Sequence, residues 1–101
     1  MLASLSAVLV RGPSMLPTLR SDDCLVVRVG ARVRPGDLVV AHFLDHPGLR
    51  VVKRAVRPVE GGWWVESDNP EVTDDSRRYG PAEVTARVLL RYWPLPPRRV
   101  S

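Results

Sequence analysis

One lysine, Lys53, stands among fourteen arginines, inside "VVKRAV" at 51–56. An arginine keeps its proton at any working pH, whereas a lysine taken out of water can lose its proton and serve as a base. A base needs a partner with a proton to give. "VRGPSMLPTL" (10–19) offers Ser14, set between Pro13 and Met15 with Pro17 close behind. Proline disfavours helix for the residue before it, so this stretch should be a rigid, extended turn. Such a turn can present both a hydroxyl and a backbone N–H to a substrate carbonyl. Gly12 would let another backbone come close. A plain serine is a poor nucleophile until a neighbouring base takes its proton.

Both residues also have an ordinary reading. A serine in such a turn most often serves the turn itself. In a strand over 49–57, Leu49, Val51, Lys53 and Ala55 share one face, and Arg50, Val52, Arg54 and Val56 share the other. Lys53 then lies among apolar neighbours, where an ammonium is costly unless paired or neutral. It can equally snorkel from a strand edge to water. The strand pattern alone leaves both open.

Other machinery fits less well. A G-x-S-x-G elbow needs glycine at 16, where Leu16 stands, and S-x-x-K needs lysine at 17, where Pro17 stands. A Ser-His-Asp triad would need His42 or His46, beside a predicted turn where a histidine is normally solvated. Cys24 is alone, which rules out an internal disulfide, and "CLVVRV" around it reads as a strand. Two histidines and one cysteine make no convincing zinc set. The formal charge of +4 comes from scattered arginines, without an aromatic-basic motif or a basic helical face, so nucleic acid is not expected as a partner. The start, "MLASLSAVLV", is too short to cross a bilayer and lacks a basic leader.

The elements that must hold these residues are short strands. Seventeen valines favour them, and ten prolines with seven glycines leave no room for long helices. Strands are predicted at about 7–11, 24–29, 37–43, 49–57, 62–67 and 84–93. Turns are predicted at "RPGD" (34–37), "DHPG" (45–48) and "VEGG" (59–62). Residues 68–81 read as one long polar loop in which Asp75 and Arg77 could pair, and Thr73 and Ser76 offer hydroxyls. The expectation is a mainly β, compact single domain over 1–101, of short and mostly antiparallel strands, with 94–101 as a frayed tail.

Taken together, these stretches resemble the signal peptidase I family of serine peptidases. "GPSMLPTL" (12–19) is similar to its first box, "PGDLVV" (35–40) to its second, Lys53–Arg54 to its third and "SDNPEVTDDSRRYG" (67–80) to its fourth. The order and spacing agree across about residues 10–93. Ser67 stands where the fourth box has glycine, and Thr73 where it has its first serine. Gly12 stands where some members carry a serine that helps the oxyanion hole, leaving that task chiefly to the N–H of Ser14. The family's membrane anchor and its extra β domain between the third and fourth boxes have no counterpart, which implies a minimal catalytic core. Small, arginine-rich chains of this kind resemble the maturation peptidases of nickel-type superoxide dismutase, which remove a short leader.

The resemblance implies a Ser14–Lys53 dyad, with Thr73 orienting the amine and Asp75 and Arg77 bracing the loop that carries it. Free lysine titrates near ~10.4, so a base at neutral pH needs its pKa lowered by roughly 3. The substrate would be a precursor polypeptide, bound extended beside 12–19, with Met15 and Pro17 forming a shallow apolar pocket for small side chains at the cut. No cofactor or metal is implied. The expected location is cytoplasmic, or peripheral at a membrane if an anchor precedes Met1. The rival expectations are an export signal peptidase core, a non-catalytic peptide-binding module and a self-cleaving repressor fragment.

Overall fold

The computed structural model describes residues 4–100. The elements are strands β1 (Ser4–Leu9), β2 (Cys24–Val29), β3 (Leu38–Phe43), β4 (His46–Val59), β5 (Gly62–Glu66), β6 (Ala82–Trp93) and β7 (Arg98–Arg99), with a single helical turn, α1 (Ser76–Tyr79), between β5 and β6 in the chain. All pairings are antiparallel, and the sheet runs β1-β2-β6-β3-β4-β5. It then curls back on itself, because Trp63 of β5 pairs with Ala82 of β6. β3, β4, β5 and β6 thus form a closed ring, and β1–β2 extends from it as a wing.

Two apolar clusters follow from this curvature. Val8, Leu19, Leu25, Val27 and Met15 pack with Leu38 and Val40 between the wing and one face of β3. Val39, Ala41 and Phe43, on the other face of β3, pack with Ala55, Val65 and Ala82 inside the ring. The near-continuous apolar run "LVVAHF" is therefore a strand buried on both faces. Gly62 makes the closure sterically feasible: a Cβ there would lie 2.4 Å from the Ala82 carbonyl oxygen. The radius of gyration, 12.6 Å, matches the ~13 Å expected for one folded unit of this length.

The predicted strands are all present, with shifted ends. Two predicted turns hold: at 34–37 the Asp37 carboxylate accepts from the Arg34 N–H at 2.9 Å, and at 59–62 Val59 pairs with Gly62 across two residues. The third moves. Phe43 pairs with His46, so the reversal is Leu44–Asp45, and "HPG" begins β4 instead of turning the chain. Residues 46–53 of β4 pair with β3 alone, and proline is tolerated on a strand edge whose N–H needs no partner. The loop 68–81 contains α1, started by Asp75, whose carboxylate accepts from the Arg77 N–H, and ended at Gly80 with φ +78°. The tail is not wholly frayed: Arg98 and Arg99 return to pair with Arg91 and Leu90. Residues 1–3 of the apolar start and residue 101 lie outside the described residues.

Candidate active site

Asp68 is where the separate stretches meet. Its carboxylate accepts from Arg54 Nε at 3.1 Å and Nη2 at 2.6 Å, and from the Thr18 hydroxyl at 2.6 Å. Arg54 also donates through Nη1 to the Gly36 carbonyl at 2.8 Å, and the Asp68 N–H donates to the Met15 sulfur at 3.4 Å. Burial pushes the Asp68 pKa upward, but the hydrogen bonds from Arg54 and Thr18 outweigh it and hold the carboxyl below its usual range. One carboxylate thereby joins residues from all four motif stretches.

The next residue fixes the serine. The Asn69 N–H donates to the Ser14 carbonyl, and Asn69 Nδ2 to the Pro13 carbonyl, each at 3.0 Å. The 12–19 segment is a chain of turns, with Leu16 N–H to Pro13 and Leu19 N–H to Met15, anchored by buried Met15 and Leu19. Ser14 is left half-buried at the surface of this knot. Gly12 has φ +82°, a left-handed conformation that favours glycine, but nothing lies within 4 Å of where its Cβ would be. Its value is this backbone angle and not a close approach by another segment. Its N–H is already bound to the Ser21 hydroxyl at 3.1 Å.

Lys53 lies on the ring side of β4, opposite Val39 and flanked on that face by Val51 and Ala55. It is 3 % exposed, so it does not snorkel to water. Burial of the amine lowers its pKa from the ordinary value, against the opposing pull of Asp75 and Asp74, and with a smaller push from Arg77 in the same direction as burial. The amine donates to the Ser67 hydroxyl at 3.0 Å. This differs from the expectation for Thr73, which is exposed and whose hydroxyl makes no hydrogen bond among the described residues. The reason lies in strand register. Arg54 pairs with Glu66, so the residue facing Lys53 one step further along is Ser67, whereas Thr73 lies six residues along the loop.

Asp75 and Arg77 do form a pair. Asp75 is fully buried and accepts from Arg77 Nε at 3.0 Å and Nη2 at 2.6 Å. It also accepts from the Ser67 N–H at 2.8 Å. Burial raises its pKa, yet the hydrogen bonds of Arg77 and of the Ser67 and Arg77 backbone win, so the carboxyl titrates below its usual range. Ser76 Oγ accepts from the Val65 N–H at 2.8 Å and ties this loop to β5.

Ser14 and Lys53 line one open groove of about 540 Å³. Its walls are Val8–Arg11 at the end of β1 and Leu49–Lys53 of β4, and Met15, Val72 and Tyr79 contribute to its lining. Among the described residues each wall is a strand edge without a partner on the groove side, since β1 pairs there only with β2 and this part of β4 only with β3. Pro17 is elsewhere, lining a smaller cavity with Thr18 and Arg98–Val100. Neither histidine lines the groove: His42 faces Glu83 at 3.3 Å, and His46 packs on Tyr79. Tyr79, held by Phe43 at 4.9 Å between centroids, was not singled out by the sequence, and neither was the Asp68–Arg54 junction. Among the described residues no group of acidic, histidine or cysteine side chains could hold a metal ion.

Two comparisons with known proteins agree with one another. Over 115 aligned positions the chain is 32 % identical to mitochondrial inner membrane protease subunit 1 of Xenopus tropicalis, covering 87 % of this chain and 69 % of that protein. The human protein of the same name is 28 % identical over 115 positions, with the same shares covered. Mitochondrial ATP-independent inner membrane protease subunit 1a of Arabidopsis thaliana is 29 % identical over 120 positions, covering 89 % of this chain and 71 % of that protein. The model of the Peptidase S24-like family matches residues 3–89, which takes in the Ser14 knot, β4 with Lys53 and the loop that supports both, and the chain therefore belongs to that family.

Proposed function

We propose that this protein is a serine endopeptidase that uses Ser14 as nucleophile and Lys53 as general base to remove an N-terminal leader from a precursor polypeptide. The observation that carries this reading is the shared groove, which half-buried Ser14 and buried Lys53 both line. The substrate lies extended between the free edges of β1 and β4, adding a strand to both. Neutral Lys53 takes the Ser14 proton as the oxygen attacks the scissile carbonyl. The resulting ammonium returns that proton to the leaving amine. Lys53 then deprotonates the water that releases the acyl group. The Lys53 amine donates to Ser67 and not to Ser14, and catalytic hydrogen bonds often tighten only in the complex with substrate.

The preferred substrate class is the leader of a nickel-type superoxide dismutase precursor, acted on in the cytoplasm. Its support is the resemblance to small maturation peptidases, together with the two-residue link between β4 and β5, which leaves no inserted domain between Arg54 and Ser67. A second reading is a leader peptidase working at a membrane surface. It is favoured by the names of the relatives and by the exposed Leu9 and Leu49 at the groove. No helix of the described residues is long and apolar enough to cross a membrane.

The test is mass spectrometry of a leader-bearing nickel superoxide dismutase precursor after incubation with the purified protein. The expected result is a single cut that frees the leader, slowed at least about a thousandfold by Ser14→Ala and by Lys53→Arg alike. A Lys53→Arg protein that still cleaves would overturn the base assignment. Cleavage of an exported-protein leader in place of this one would select the second reading, and cleavage of neither would make the chain a peptide-binding module.

A further inference from the structure

We propose that Ser67, the residue in place of the family's glycine, is the positioning residue of Lys53, taking over the task expected of Thr73. This inference rests on the Ser14–Lys53 reading. A neutral amine has one lone pair, and rotation about its terminal C–N bond sweeps that pair around a cone. Donating one N–H to Ser67 Oγ at 3.0 Å stops the free rotation and confines the lone pair to the two remaining staggered directions. The residue that carries the hydroxyl is itself held at its backbone. The Ser67 N–H is bound to Asp75 at 2.8 Å, Asp75 is gripped by two donors of Arg77, and Arg77 reaches the Val72 carbonyl at 3.3 Å. The relay Arg77–Asp75–Ser67–Lys53 therefore carries the order of the loop to the amine. A glycine at 67 would keep the backbone bond to Asp75 and lose the contact with the amine. Through both half-reactions Ser67 only accepts a hydrogen bond, and its own proton stays in place.

The chain has a single lysine, so lysine labelled with ¹³C at Cε gives one resonance, and its titration reads Lys53 alone. Ser67 Oγ is an acceptor for the charged amine, so Ser67→Ala and Ser67→Gly should both lower the titration midpoint, by about one pH unit. Ser67→Thr should restore it, and Thr73→Val should move it by less than either. On any leader peptide that the native protein cleaves, Ser67→Ala should lower kcat about tenfold with little change in KM. That loss should persist on the high-pH plateau, where both amines are neutral and only direction differs. An unmoved midpoint in both Ser67 variants, or a larger effect from Thr73→Val, overturns the inference while leaving the dyad standing. Cleavage by Lys53→Arg would instead overturn the dyad and leave the Ser67 contact standing.

Discussion

At the scale of single residues, Lys53 carries a cost that its surroundings do not remove. It sits across from Val39 with Val51 and Ala55 beside it, and the acid nearest in influence, Asp75, is already satisfied by Arg77 and two backbone donors. With its folded pKa below the unfolded value, the unfolded chain binds the proton more tightly between the two. Stability therefore rises as pH climbs through that window toward 10.5, and the whole cost of the buried charge is felt below it. Lys53→Met fits the same channel with an unbranched apolar chain and leaves no carboxylate unpaired. It should be more stable than the native protein at pH 7 by about 1 to 2 kcal/mol, a gap that narrows by pH 10. Urea unfolding of both proteins at the two pH values measures this. A Lys53→Met protein that is less stable at pH 7 would mean that the amine is solvated. Stability given up at this position is what a functional lysine would show.

At the scale of elements, the hairpin β4–β5 decides which side chain the lysine meets. Val59–Gly62 and Pro58–Trp63 start a register that, continued unbroken, would set Asp68 opposite Lys53. An irregularity between Ala55 and Arg57 shifts the pairing by one, so that Arg54 meets Glu66 and Ser67 comes to face Lys53. A carboxylate in that place would hold the amine protonated, whereas a hydroxyl permits a neutral base. The same hairpin depends on Gly62, where an added methyl would meet the Ala82 carbonyl oxygen at 2.4 Å. Gly62→Ala should therefore cost about 2 kcal/mol or more by forcing β5 off β6, read as a lowered urea midpoint, while Gly48→Ala, with open space at its Cβ, should cost far less. Equal costs would mean that the ring closes without this contact. The strands of this hairpin were legible from their valines and from "VEGG", because alternation and turn chemistry are local. The shift was not, because nothing in the residues around Val56 marks a bulge. Mapping Thr73 onto a family serine therefore pointed away from Ser67, the hydroxyl that the amine meets. In the same way "DHPG" has turn composition, but only the missing partner strand explains why its proline can sit in β4.

At the scale of the whole molecule, the site depends on agreement between segments far apart in the chain, and Arg54–Asp68 enforces it. Arg54 spans from Asp68 to the Gly36 turn, while Asp68 reaches Thr18 and Met15, and its neighbour Asn69 holds the backbone of Pro13 and Ser14. The pair is largely shielded, with side-chain exposures of 21 % and 16 %, so it is not the weak surface ion pair that composition alone would suggest. Its importance was hidden in the sequence because the partners are fourteen residues apart with a hairpin between them, and because two other motif stretches complete it. Charge is not what the junction needs most. It needs a flat fork with two donors for one carboxylate and a third for a carbonyl. Arg54→Lys keeps the charge and cannot span both partners, so the prediction is a loss of about 2 kcal/mol in stability. Cleavage should fall at least tenfold as well, with kcat affected more than KM, because the Ser14 knot is loosened from the loop that carries the rest of the site. Unfolding and steady-state kinetics on the same preparation separate the two effects. A variant that loses stability while keeping kcat would show that the junction holds the fold together without aligning Ser14 with Lys53.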